Sequence, residues 1–371
     1  MVKFHSSSLK FVLVLVMLVL VMGIAATPLA AVSPLVVPEI TTVTLDWTPP
    51  ANQAQSATAV PSVKEVANYN PLTGLPLRDA STANLRPVAI MINNIKIATP
   101  QAGIGSADLL YELEVEGSIT RMMAVFANPA SVPEIGSIRS LRHDFIDLAG
   151  AFDAIVVHFG GSTVAYSQVA AQGTSHVDSS NAGSAYWRDL RWRKTRGYEH
   201  SVKTNGPKLV RAINQLKLRN TNNNSNRAWF LFQPGMDVVP ATGPAAVSVQ
   251  APFSNYNTAT FTYDAATKTY KKGQFKALQI DISTGKALRF TNVLLLKTSV
   301  TSYDGSKLRE YDLSAGTGYY LSGGQYEAIN WSKGGTNDPW FFTRADGSEL
   351  VLNRGKTYIG VSSNTRGVTF K

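Results

Sequence analysis

"YELEVEGSITR", residues 111–121, sets Glu112, Glu114 and Glu116 at every second position ahead of Gly117-Ser118 and a single Arg121. Side chains alternate between faces in an extended chain, so this spacing puts the three carboxylates on one side. Gly-Ser between two apolar-containing runs fits a two-residue type II′ turn, which favours glycine at its first central position. The spacing predicts a hairpin over 111–126, with Glu116 opposite Ile119, Glu114 opposite Arg121 and Glu112 opposite Met123. Arg121 then serves one glutamate across the strands, an interaction of roughly 0.2–1 kcal/mol. Glu112 and Glu116 are left to face water or to draw cations from elsewhere in the fold.

Working outward, "RPVAIMINN" (86–94) is a short apolar run with a proline at its start, the pattern of a buried strand. "SLRHDFIDLAGAF" (140–152) opens on a capping-type serine and spaces Leu141, Phe145 and Leu148 at helical intervals, which predicts a helix beginning at Ser140. "DAIVVHFGG" returns to strand, and "STVAYSQVAAQG" and "TNGPKLVRAINQLKL" to helix, the last with Pro207 in its first turn. After "PGMDVVPATGPAAVSVQAP" (234–252) the pattern becomes β, with turn signals at Asp304-Gly305, Gly323-Gly324 and Asp346-Gly347. The expected fold class is therefore α+β. A mixed α/β N-terminal domain covers 69–233, an interdomain link 234–252, and a smaller, mainly antiparallel β C-terminal domain 253–371.

At 371 residues, with 44% hydrophobic and 16% charged residues, the chain has the length and composition of a globular protein with two real cores. It has no cysteine, which excludes disulfides, thiolate metal sites, cysteine nucleophiles and lipid attachment through an N-terminal cysteine. Lys3 and Lys10 precede the uncharged run "FVLVLVMLVLVMGIAATPLAAV". Residues 1–32 thus read as a signal peptide or as an N-terminal membrane anchor, the run being as long as the ~20 residues a span needs. Residues 33–68, rich in Pro, Ala, Ser and Thr, read as a linker, so the remainder is expected outside the cytoplasm, membrane-anchored or secreted. The net charge of +10 is concentrated: Tyr186–Arg227 holds eleven Lys/Arg against Asp189 and Glu199.

Three further stretches carry chemistry. Arg139 and Arg142 flank the expected helix start, where fork-shaped donors and free amides favour a carboxylate or phosphate; the same arginines are alternatively the cations that Glu112 and Glu116 lack. "AYWRDLRWRKTRGYEHS" (185–201) interleaves Tyr186, Trp187, Trp192 and Tyr198 with arginines and Lys194, a mixture suited to stacking on sugars and pairing with anions. In an exported chain the natural partners are wall polymers, glycan strands or anionic lipid headgroups, not nucleic acid. His158 sits where a strand runs into Gly160-Gly161, a place where α/β sheets meet ligands, but reads more readily as a hydrogen-bonded core histidine. His143, His158, His176 and His200 form no HExxH or HxH spacing, and "FGGS" lacks a nucleotide-loop pattern, so neither a metal nor another cofactor is expected.

"NPLTGLP", "RPVAIMINN", "P-Q-x-G-I-x-x-A-D", "YELEVEGSITRMMAVF", "IGSIRSLRHDFIDLA" and "FDAIVVHFGGS" occur here in order, and together they resemble the YerB-like bacterial lipoproteins, known largely as a domain of unknown function. The resemblance is dense over 70–200 and looser to the end. It implies two consecutive domains and an extracytoplasmic location, with no established activity. The family's lipobox cysteine is missing, its Pro-His-Asn is matched here only by His200, and its C-terminal His-x-Asp is Gln279-Ile280-Asp281. The leading expectation is a non-enzymatic envelope protein that binds an anionic or glycan-containing wall component through Arg121, Arg139 and Arg142, with Trp187, Trp192 and His200 nearby. A rival is a glycan hydrolase using Glu114 and Glu116 as the carboxylate pair, and a third reading is a protein-interaction module whose polar clusters are structural.

Overall fold

The hairpin read at 111–126 is the centre of a ten-stranded sheet. The computed structural model describes residues 68–223 and 229–371, so the leader or anchor, and all of the linker before Asn68, lie outside the described residues. The sheet strands are β1 (Val88–Asn94), β2 (Leu109–Glu114), β3 (Thr120–Phe126), β4 (Ile155–Val157), β5 (His176–Val177), β6 (Asn292–Thr298), β7 (Ala315–Ser322), β8 (Gln325–Lys333), β9 (Trp340–Arg344) and β10 (Thr357–Ser363). Their spatial order is β9-β8-β7-β6-β10-β2-β3-β1-β4-β5. Five strands come from each expected domain, and the parallel pair β2–β10 joins them, with Tyr111 beside Ile359 and Glu112 beside Gly360. The N-terminal α/β and C-terminal β-rich halves therefore share one sheet.

Both sheet faces are covered. Tyr111, Leu113, Met123 and Val125 point into one core with Phe145, Leu148, Leu294 and Ile359. Leu110, Met122, Ala124 and Phe126 point into the other with Leu209, Phe261, Leu295 and Tyr358. Every residue of β1, β2 and β3 is buried, as continuous apolar runs predict for strands packed on two sides. Helices α1 (Asp144–Gly150), α2 (Thr163–Gln172), α3 (Ser179–Ala182), α4 (Leu190–Arg196) and α5 (Gly206–Gln215) belong to the N-terminal half. A smaller sheet built from Ser248–Pro252, Thr258–Asp264 and Thr269–Gln274 closes the second core. Its first strand lies inside the stretch read as a link.

Two local expectations are corrected. The hairpin turns through three residues, Glu116–Ser118, because Gly117 (φ 71°) and Ser118 (φ 59°) both adopt left-handed backbone and Val115 donates its N–H to Ile119 O at 2.8 Å. The register is Glu114 with Thr120, Leu113 with Arg121 and Glu112 with Met122, one residue away from the two-residue turn. A slip of one exchanges faces, so Arg121 leaves the side of Glu112 and joins the opposite one. The helix read from Ser140 begins at Asp144, because Arg139 and Leu141 donate their N–H groups to Met91 O and Gly160 O and are held extended across the ends of β1 and β4.

Candidate functional site

β1 and β4 run parallel, and the candidate site lies beyond their carboxyl ends, the edge at which α/β sheets characteristically hold ligands. Asn93 at the end of β1 pairs with Arg121 of β3, and its side-chain amide meets His200 Nδ1 at 2.8 Å. The Arg121 guanidinium donates to Ser140 O at 2.7 Å, has Glu116 Oε1 at 4.0 Å, and is only 2% exposed; its Nε finds no acceptor. Arg142 clamps Glu116 bidentately, with Nε to Oε2 at 2.8 Å and Nη2 to Oε1. Arg139 reaches away to Glu199 at 2.8 Å, leaving its own buried Nε unpartnered.

The electrostatics follow from this crowding. Burial lowers the Arg121 guanidinium to about 9, and the charges of Arg142 and Arg139 push the same way against Glu116. The Glu116 carboxyl, raised by burial but overruled by the Arg142 hydrogen bond and the Arg121 and Arg142 charges, rests at about 2. Burial and the nearby Arg139 charge lower His200. Three guanidinium groups thus face two carboxylates, one of which, Glu199, has a side chain 65% exposed. The cluster has cation to spare and two unsatisfied buried donors, Arg121 Nε and Arg139 Nε.

The other glutamates part company with this group. Glu114 pairs with Arg309 at 2.7 Å, and Glu112 is wholly buried against Lys272, with Nζ to Oε2 at 3.0 Å. Glu112 also accepts from Asn94, Thr120, Asn257 and Tyr358 at 2.7–3.0 Å, and Lys272 donates to Gln279 at 2.7 Å. Asp281 accepts from the N–H groups of Gly103 and Gly105 at 2.9 and 2.7 Å, so Gln279-Ile280-Asp281 fastens the two halves together. The alternating glutamates do not form a solvated face. Glu114 and Glu116 are each matched to an arginine, Arg309 and Arg142.

The aromatic segment is largely occupied by its own cations. Trp192 is buried, with Arg196 at 3.9 Å and Lys203 at 4.2 Å over its ring, and is therefore no open stacking platform. Trp187 is half-buried with Lys208 at 5.8 Å. His158 proves to be a core histidine, bonded to Gly160 O at 2.8 Å and His176 Nδ1 at 3.0 Å. His143, which the sequence sets beside Asp144 and Asp147 as a local polar cluster, lies 3.7 Å from Asp144 and 3.1 Å from Glu310, a partner sequence reasoning missed; burial pushes the Asp144 carboxyl up to about 7. A cavity of about 330 Å³ opens at the opposite edge of the sheet, but its arginines, Arg86 and Arg219, are taken up by Asp153. Among the described residues, no three His, Asp or Glu side chains converge to hold a metal ion.

Residues 72–219 match the N-terminal domain and 249–359 the C-terminal domain of a protein of unknown function, DUF3048. The chain belongs to the DUF3048 family. It is 31% identical over 298 residues to a Bacillus subtilis (strain 168) protein described as "Putative lipoprotein YerB", covering 78% of this chain and 85% of that one. The crystal structure of YerB protein from Bacillus subtilis superposes with a TM-score of 0.69 at 26% identity, covering 81% of this chain and 99% of the other. The DUF3048 halves are the α/β and β-rich portions described above, and the β2–β10 pair lies between them.

Proposed function

We propose that this DUF3048 protein is an extracytoplasmic cell-envelope protein that recognises an anionic or glycan-containing wall component at the cluster of Arg121, Arg139 and Arg142. The observation that carries the reading is Arg121: a guanidinium 2% exposed, with an unmet Nε, one carboxylate no closer than 4.0 Å and two like-charged neighbours. Such a group is costly to bury without a close counter-ion, and an incoming carboxylate or phosphate supplies one. Glu116 acts as the resident anion that a ligand displaces or supplements. His200 and Asn93 provide polar contacts at the rim, and the lipoprotein description of the Bacillus relative supports the envelope setting.

The test is a pull-down of the purified protein with isolated cell wall, before and after extraction of its anionic polymers. Wild type is expected to sediment with intact wall and to lose binding on extraction. An Arg142→Ala protein of normal circular dichroism should fail to bind, whereas full binding by that variant would remove the arginine cluster from consideration.

A further inference from the structure

The arginine cluster leaves out the most basic part of the chain. Helix α4 turns its Trp192 inward, with Arg196 stacked on the ring, and leaves Leu190 77% exposed at its start. Leu190, Arg193 and Lys194 stand at i, i+3 and i+4 and so share one helical face. That face continues through Arg193 onto Tyr198, a residue 55% exposed whose ring carries the Arg188 guanidinium at 3.5 Å and the Arg193 guanidinium at 5.2 Å. Arg191, Arg193 and Lys194 are exposed and make no ion pair among the described residues.

We propose that this face of α4, with Leu190 and Tyr198 set among Arg191, Arg193 and Lys194, docks the protein onto an anionic lipid surface. A single exposed leucine is ordinary on a protein surface. A leucine and a tyrosine ringed by unpaired cations are the components of an interfacial contact, in which the apolar groups enter the headgroup boundary and the cations meet lipid phosphates. A soluble polyanion would satisfy the cations but leave Leu190 in water, so the combination favours the membrane. The helix is short and the patch small, so docking is weak and reversible.

The absence of native cysteine makes the test site-specific. A Leu190→Cys variant of the full chain carries an environment-sensitive dye, and Met236→Cys, at a position 61% exposed, serves as the reference. With vesicles of phosphatidylcholine containing about one-third phosphatidylglycerol, the dye at 190 should shift to the blue and be quenched by lipid-borne nitroxide, while the dye at 236 stays in water. Each cation near an anionic surface changes binding by about fivefold, so adding Arg191→Glu and Lys194→Glu should lower the docked fraction by about 25-fold or more. The proposal is overturned if the dye at 190 stays in water with anionic vesicles, if the charge-reversed protein docks equally, if the dye at 236 responds in the same way, or if soluble polyglycerol phosphate alone gives the full shift. Because these arms contain no wall material, they stand or fall separately from wall binding at the arginine cluster.

Discussion

Replacing Lys272 with methionine should destabilise the whole protein. Both members of the Glu112–Lys272 pair are fully buried at 3.0 Å, one in β2 and the other in Thr269–Gln274 of the smaller sheet. Burial lowers the Lys272 ammonium and Glu112 counteracts it. Methionine keeps the volume but leaves the carboxylate with hydrogen bonds and no cation, and orphans Gln279 Oε1. Breaking a buried pair costs about 3–5 kcal/mol, whereas removing both charges is often close to neutral. In urea titrations at pH 7, Lys272→Met should lose ~3–5 kcal/mol at unchanged m-value. The double variant Glu112→Gln, Lys272→Met should recover most of it. A loss under ~1 kcal/mol, or a double variant as unstable as the sum of its parts, would refute the buried joint.

Arg139→Ala should cost ~1 kcal/mol or less by the same titration, because its partner Glu199 is exposed. Glu116→Gln tests linkage on the acid side. The carboxyl sits at about 2 in the fold against about 4.3 unfolded, so its contribution is full above that value and is lost as pH falls through 4 towards 2. Its side chain is 30% exposed, so ~1–2 kcal/mol is expected in wild-type stability over the variant at pH 7, vanishing near pH 2 in thermal melts. Asp144 runs the other way. Its folded value of about 7 exceeds the unfolded ~3.9, so wild type should lose up to about 1.4 kcal/mol per pH unit relative to Asp144→Asn as pH rises from 4 to 7. Because β2 and β10 share a sheet, calorimetry should show one transition for both DUF3048 halves; two separated transitions would contradict the shared sheet.

The hairpin, the buried strand at 86–94 and the change to β pattern after 252 are legible in the sequence because each rests on local periodicity or turn chemistry. The register is not, since Gly117 and Ser118 accept left-handed backbone together and admit a third loop residue, and one residue moves Arg121 to the other face. The start of α1 is misread because Arg139 finds a backbone partner in β1 and Leu141 one at Gly160, just past β4, which no helical spacing reveals. The fate of Glu112 lies further still from local reasoning, its partners Asn257 and Tyr358 being 145 and 246 positions downstream. The arginines were identifiable as a group from their proximity to the hairpin. That Arg121 is buried with an unmet donor follows only from the fold.

The proposed function requires that the arginine cluster take an anion from the wall. Equilibrium titration of the protein with soluble, anionic wall fragments, and with neutral glycan of the same length, measures this directly in wild type, Arg139→Gln and Glu116→Gln. The account predicts binding to the anionic fragment alone, at least tenfold weaker in Arg139→Gln, and tighter in Glu116→Gln once the resident carboxylate is gone. Equal affinity across the three proteins, or equal binding of the neutral glycan, would contradict it.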